Sequence, residues 1–365
     1  MASSAIGLNG PIGVQEGRNK IINGEFNLWQ RGNTASFGIS TGTTSDYTSD
    51  RWIYYSKTVA GGTSPSVEVK KATFEFGTEP NSIPVPIHYL KLETGSTGDG
   101  FTSGDSQAFI EQRIENVKTF AGQSTTVSFW GRSSNNSRTI QVSAHQFFDG
   151  GSAPVHIAGA TFGLTNTWTK YDTRLVIPSI SGKTLGAGAT NDHLALRFNL
   201  QSGSSSGYMY DTLMWTQGVT ETIELTQVQM EENSKPTQFE RLDDESEYQK
   251  AERFFEIVPI RAVMYGTSNN SATNHSLTRK RTNDYSIKFV EQGNFVARNP
   301  NRGLQSRDKR TDSFTAYVLN HNGSNGDIVP KFTTDYGSGA AGNDLDGYIR
   351  VSVDNEIPIG STGGN

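Results

Sequence analysis

Apolar and polar residues alternate with a period of two in one short run after another. Residues 66–70 read Ser-Val-Glu-Val-Lys and residues 89–93 read Tyr-Leu-Lys-Leu-Glu. The same alternation runs through 109–114, 124–131, 139–144, 169–177, 194–200 and 223–230, while residues 51–55 (Arg-Trp-Ile-Tyr-Tyr) form a more continuous apolar run. A strand sends successive side chains to opposite faces, so this period predicts strands with one buried face. Clusters of Gly, Ser and Asn separate the runs, and many short strands broken by turn formers predict a two-sheet antiparallel sandwich. The expected class is all-β: a jelly-roll β-sandwich over residues 21–242, followed by a short linking helix at 243–258 and a smaller C-terminal β-domain at 259–365. Further strands are expected there at 276–280, 285–290, 314–319 and 347–353.

Only one segment changes period. In residues 243–255, Tyr248, Ala251 and Phe255 fall on one helical face, and Asp243 or Asp244 can cap an N-terminal turn rich in acids. Residues 1–20 form a Gly-rich N-terminal arm in which Ile6, Leu8, Ile12 and Val14 recur at short spacing. Two readings stay open for it, a solvated tail or an arm that orders against a partner.

Composition supports the β reading. The 365 residues include 39 Gly and 10% aromatics but only 19% charged side chains, where a helical chain would carry more Ala, Leu, Glu and Lys. The formal charge of −5 lacks the basic excess of a nucleic-acid binder. A basic cluster, Arg279–Arg281 with Arg302, Arg307, Lys309 and Arg310, reads as solvated strand edges rather than a polyanion site. With no cysteine, the chain has no disulfides, thiolate metal sites or thiol catalysis. No apolar run reaches transmembrane length, and the N-terminus lacks the pattern of a signal peptide.

Candidate chemistry is sparse. Glu111 with Glu115 and Glu231 with Glu232 are the closest carboxylate pairs, but residues four apart on a strand lie about 13 Å apart and adjacent ones face opposite ways. The six histidines (88, 145, 156, 193, 275 and 321) show no metal-ligand spacing. The expectation is therefore of a non-enzyme. Sugar platforms need exposed aromatics; Trp168, Tyr208, Tyr210 and Trp215, with Tyr47, are the candidates, while Trp29, Trp52 and Trp130 sit in strand motifs and read as core.

Two distant segments carry a family resemblance. Residues 23–32 (Asn-Gly-Glu-Phe-Asn-Leu-Trp-Gln-Arg-Gly) with 49–52 (Ser-Asp-Arg-Trp) form the first; residues 228–232 (Val-Gln-Met-Glu-Glu) and 236–241 (Pro-Thr-Gln-Phe-Glu-Arg) form the second. They read as opening and closing strands of one sandwich. Together with Glu-Gln-Arg-Ile-Glu at 111–115, Val-Ser-Phe-Trp-Gly-Arg-Ser at 127–133 and Ala-Glu-Arg-Phe-Phe-Glu at 251–256, they resemble a group of bacteriophage tail-fibre and virion structural proteins. In that family the boundary helix usually ends Cys-Gln-Arg-Tyr-Tyr; here Ala251 stands for the Cys and Phe254 and Phe255 for the tyrosines.

The resemblance implies a jelly roll like that of carbohydrate-binding modules and a place in a virion, on the tail or capsid surface. Its implied partners are other virion proteins, further copies of the chain in a homotrimer, and a host-surface glycan. Neither nucleic acid nor membrane insertion is expected. The arm would dock on the particle and the chain would take part in host adhesion; the alternatives are a dedicated glycan-binding receptor-recognition protein and a polysaccharide depolymerase. The resemblance also suggests a structural calcium at Glu25, with Asp211 and Glu224 as helpers, against the plainer reading of a hydrogen-bonded Glu25.

Overall fold

The structure is a computed structural model; it describes residues 17–58, 62–95, 106–136, 138–187, 191–203, 220–264, 275–276, 280–282, 285–299, 303–306, 314–319, 327–332 and 344–359. Twelve strands precede the helix: β1 (Thr34–Phe37), β2 (Thr43–Tyr47), β3 (Trp52–Lys57), β4 (Val67–Thr73), β5 (His88–Thr94), β6 (Gln107–Glu115), β7 (Ser124–Ser133), β8 (Thr139–Phe147), β9 (Val155–Gly163), β10 (Thr169–Val176), β11 (His193–Ser202) and β12 (Thr222–Glu231). They form two six-stranded sheets, sheet A in the order β1-β4-β5-β12-β7-β10 and sheet B in the order β2-β3-β6-β11-β8-β9. The last eight strands pair from the outside inwards, β5 with β12, β6 with β11, β7 with β10 and β8 with β9, the winding of a jelly roll.

The alternation read from sequence makes the core. Val127 and Phe129 of β7, Leu90 and Leu92 of β5, Ile223 and Leu225 of β12, and Leu194, Leu196 and Phe198 of β11 meet between the sheets, all fully buried. Trp29 and Trp52 join them, as expected. Trp130 does not: it points out of sheet A and is half-buried, because Val127 and Phe129 already occupy the inward positions of β7.

The opening motif is a stapled turn instead of a strand. Asn23 and Phe26 adopt left-handed backbone (φ 58° and 57°). The Asn23 side chain donates to the Leu28 carbonyl (2.9 Å) and the Asp50 carbonyl (3.0 Å) and accepts from the Leu28 amide (3.0 Å). Asparagine supports φ above zero better than most residues, and its short amide closes the turn. Gly24 lies against β12: a Cβ there would stand 2.3 Å from the Val228 carbonyl oxygen.

The helix α1 (Asp244–Glu252) is capped by Asp243, whose Oδ1 accepts from the Ser246 amide at 3.0 Å. It is shorter than expected. Phe255 begins β13 (Phe255–Met264), which pairs with β19 (Asp344–Asp354) within a sheet that also holds β15 (Ser286–Asn299) and β16 (Gly303–Ser306). β14 (His275–Ser276), β17 (Phe314–Leu319) and β18 (Asp327–Phe332) make a separate three-stranded sheet.

The resemblance motifs converge where the C-terminal sheet meets the sandwich. Buried Arg51, at φ 74°, pairs with Glu356 and lies over the Phe254 ring at 3.4 Å. Arg31 reaches Asp50 (3.4 Å) and Glu356 (3.5 Å) and lies over Phe255 at 3.6 Å. Arg253 pairs with Glu115 at 2.8 Å. The two phenylalanines thus serve as aromatic seats for arginine, a task a phenyl ring performs without a hydroxyl. Of the basic cluster, Lys280 is buried against Glu256 (2.7 Å) and Arg281 donates to the Asn355 carbonyl (3.1 Å), so both tie this junction; Arg279, Arg302, Arg307, Lys309 and Arg310 lie outside the described side chains. Among the described residues no helix is long and apolar enough to cross a membrane.

Candidate functional site

The candidate site lies on the outer face of sheet A. On β7, Ser128, Trp130 and Arg132 alternate outwards, with Lys170 of β10 and Thr226 of β12 opposite Trp130 on either side. Arg132 pairs with Glu224, its register partner on β12. Trp168, half-buried just before β10, packs against Phe74 (ring centroids 5.2 Å apart) and Tyr89 (5.4 Å), with the Arg132 guanidinium 4.9 Å from its own ring centre. Its indole Nε1 is buried without a hydrogen-bond partner. Burial, and then the Glu224 charge, push the Tyr89 phenol up, so it stays protonated at neutral pH.

Beside this cluster opens a cleft of about 330 Å³. Its floor is Ser128 and Trp130; Lys170 and Gln227 stand at its sides; Asn81, Ser82 and Ile83 come from the β4–β5 connection, and Gln238 and Phe239 from the segment after β12. The volume lies at the lower end of the ~300–1,000 Å³ usual for small-molecule sites.

A bulge in β12 brings Gln227 to the cleft. The register slips between Thr226 and Gln229, and Gln227 adopts φ 50°. Bulges re-aim a side chain and recur beside binding sites. The Gln227 Nε2 donates to Glu25 Oε1 (3.0 Å) and to the Pro84 carbonyl. Arg241 binds both Glu25 oxygens (2.7 and 2.6 Å) and also donates to the Val85 carbonyl at 2.6 Å. The Glu25–Arg241 pair therefore fixes the 83–85 wall against the floor. In this way the two distant sequence motifs do meet, through these side chains and a backbone bond from the Val228 amide to the Gly24 carbonyl (2.9 Å), rather than as a regular strand pair.

The sequence candidates divide. Trp168 falls at the rim of this face. Tyr47 is buried, its hydroxyl donating to the Ile357 carbonyl at 2.9 Å, and offers no platform. Tyr208, Tyr210, Trp215 and Asp211 lie outside the described residues, as do Ile6, Leu8, Ile12 and Val14 of the arm. Glu25 and Glu224 are each taken up by an arginine, and among the described residues no group of three or more His, Asp or Glu could hold a metal ion.

The carboxylate pairs are separated too. Glu111 is fully buried between Arg113 and Arg197, while Glu115 turns to Arg253. Glu231 is buried and accepts from Thr237 and Gln229, while Glu232 is exposed. Burial would raise the Glu111 pKa, but the charges of Arg197 and Arg113 outweigh it and hold the carboxyl at about 2, far from the range of a general acid.

Two features escaped the sequence reading. Trp130 and Gln227 form the cleft, and only the bulge, invisible in the alternation, turns Gln227 into it. On the outer face of sheet B, His145 contacts His156, and His193 stacks on Phe147 at 4.7 Å, so three scattered histidines share one region. Burial lowers all three, leaving them neutral at pH 7.

No protein-family model matches the chain, and no curated protein sequence matches it. Solved structures do. The family 11 carbohydrate-binding module of a cellulosomal cellulase of Clostridium thermocellum matches at 8% identity and TM-score 0.30, over 58% of this chain and 94% of that one. The N-terminal cellulose-binding domain of a Cellulomonas fimi β-1,4-glucanase matches at 12% and 0.27, over 40% and 80%. A tandem family 22 module pair from a Paenibacillus barcinonensis protein matches at 8% and 0.26, over 88% and 96%. The likeness is loose, with every one of these identities at 12% or below.

Proposed function

We propose that this chain is a non-catalytic glycan-binding protein whose cleft on sheet A seats sugar rings. The observation that carries the reading is the half-buried Trp130 face at the floor of a cleft edged by amide, hydroxyl and amine side chains. An indole face packs on the C–H surface of a sugar, and fixed amides and hydroxyls bond its rim of hydroxyl groups. A catalytic reading has less to stand on, since none of the nine described lining residues is a carboxylate.

The virion setting rests on the sequence resemblance alone. In that setting the chain is a surface appendage, docked by residues 1–20 and oligomeric, with the cleft available to a host polysaccharide. Structural calcium at Glu25 has a competitor in Arg241, which already neutralises that carboxylate.

An array of bacterial-surface and plant polysaccharides, probed with the full chain and with Trp130→Ala, tests the reading. Binding by the native chain that falls at least tenfold in the variant supports it. A blank array, or hits that the variant retains in full, overturns it.

A further inference from the structure

The charge of the cleft narrows the ligand, on the reading that this cleft binds a glycan. Of its described lining side chains, Lys170 alone is charged. Its ammonium makes only a 3.5 Å contact with the Thr237 carbonyl, and no carboxylate of the described residues pairs with it. The acids behind the cleft are committed elsewhere: Glu25 to Arg241 and Gln227, Glu231 to Thr237 and Gln229, and Glu240 to the Gly17 and Asn19 amides. Asp172, two residues along β10 on the same face, is exposed and lies opposite Ser128, outside the lining; Arg174 follows it at the next outward position. Asn81 and Gln238, both exposed, add neutral amides that can donate beside the ammonium.

We infer that the cleft selects an anionic glycan, one whose sugar packs on Trp130 while a carboxylate or phosphate substituent pairs with Lys170. An amine and an aromatic floor in one cleft match a ring bearing a single negative group. A neutral glycan would leave the ammonium with solvent as its main partner and gain nothing from its charge. The two sources of negative charge, a uronic acid and a sugar phosphate, share this chemistry and are separated by the assay.

The test is calorimetric titration of the full chain with matched pairs. One pair is an oligogalacturonate and its methyl-esterified form; the other is a phosphorylated oligosaccharide and its dephosphorylated counterpart. The expected result is a preference of roughly tenfold for the charged member of one pair, weakened by added salt. In Lys170→Gln the ratio of the two affinities should collapse towards one, and in Lys170→Arg it should largely return. Equal affinity for both members of each pair, or a preference that persists in Lys170→Gln, overturns this inference and leaves glycan binding standing. Absence of binding to either pair, together with a blank polysaccharide array, removes the glycan reading itself.

Discussion

Replacing Glu111 by Gln should cost the sandwich about 3 kcal/mol at pH 7. Glu111 sits in β6 with no solvent exposure; its Oε1 accepts from Arg113 Nε at 2.6 Å and its Oε2 from Arg197 Nε. The folded carboxyl is held at about 2 against an ordinary 4.5. At about 1.36 kcal/mol per pKa unit, that difference is worth about 3 kcal/mol of stability at neutral pH. Removing one partner of a buried ion pair costs about 3–5 kcal/mol, and Gln, which keeps the shape and one acceptor, belongs at the low end. The sign follows from the depressed value. The contribution is complete above the unfolded pKa near 4.5 and is lost as the pH falls towards 2, so native and variant should converge there. Equilibrium urea unfolding followed by tryptophan fluorescence reads the difference, because Trp29 and Trp52 are buried in the same core. A loss below 1 kcal/mol at pH 7, or a difference that does not shrink on acidification, would refute the reasoning.

Two further perturbations follow from the same packing. Burial, reinforced by Arg197, holds His145 well below its usual range, and burial with Arg113 holds His193 at about 3. The unfolded chain takes up these protons below about pH 6.5 and the folded chain does not. Stability should therefore fall on acidification from pH 6.5, by up to about 3 kcal/mol per pH unit for the two sites together; a urea midpoint unchanged between pH 7 and 5 contradicts this. Gly24→Ala forces a Cβ onto the Val228 carbonyl, against backbone that cannot swing aside, and should cost about 1–3 kcal/mol. A melting temperature equal to the native chain's would show that the segment can shift away from β12.

The strands with clean alternation were legible, and their edges fall within a few residues of the pattern in β4, β5, β7 and β12. What the pattern missed has physical reasons. β9, with its run Ala-Gly-Ala-Thr-Phe-Gly, is a Gly- and Ala-rich edge strand whose outward positions carry no strong contrast. β13 follows the helix so closely that Phe254 and Phe255 read as its last turn, yet Phe255 already pairs with Asp354. The Asn23 turn looked like a strand because its apolar residues alternate, but the left-handed angles at Asn23 and Phe26 are set by the asparagine staple. The sequence offers Glu25 as a calcium ligand or, more plainly, as a hydrogen-bonded carboxylate; in the structure its partners are Arg241 and Gln227. The cleft itself was hardest to see. Trp130 occupies a strand motif whose phase alone decides between core and surface, and Gln227 enters the site by a bulge that no periodicity encodes.

The most direct measurement is a crystal structure of the chain with a bound oligosaccharide taken from the polysaccharide array. The account predicts a sugar ring stacked on Trp130, between Ile83 and Lys170, with the Glu25–Arg241 pair intact behind it. A ring bound elsewhere, for example on the histidine-bearing face of sheet B, with the Trp130 cleft holding only solvent, would contradict it.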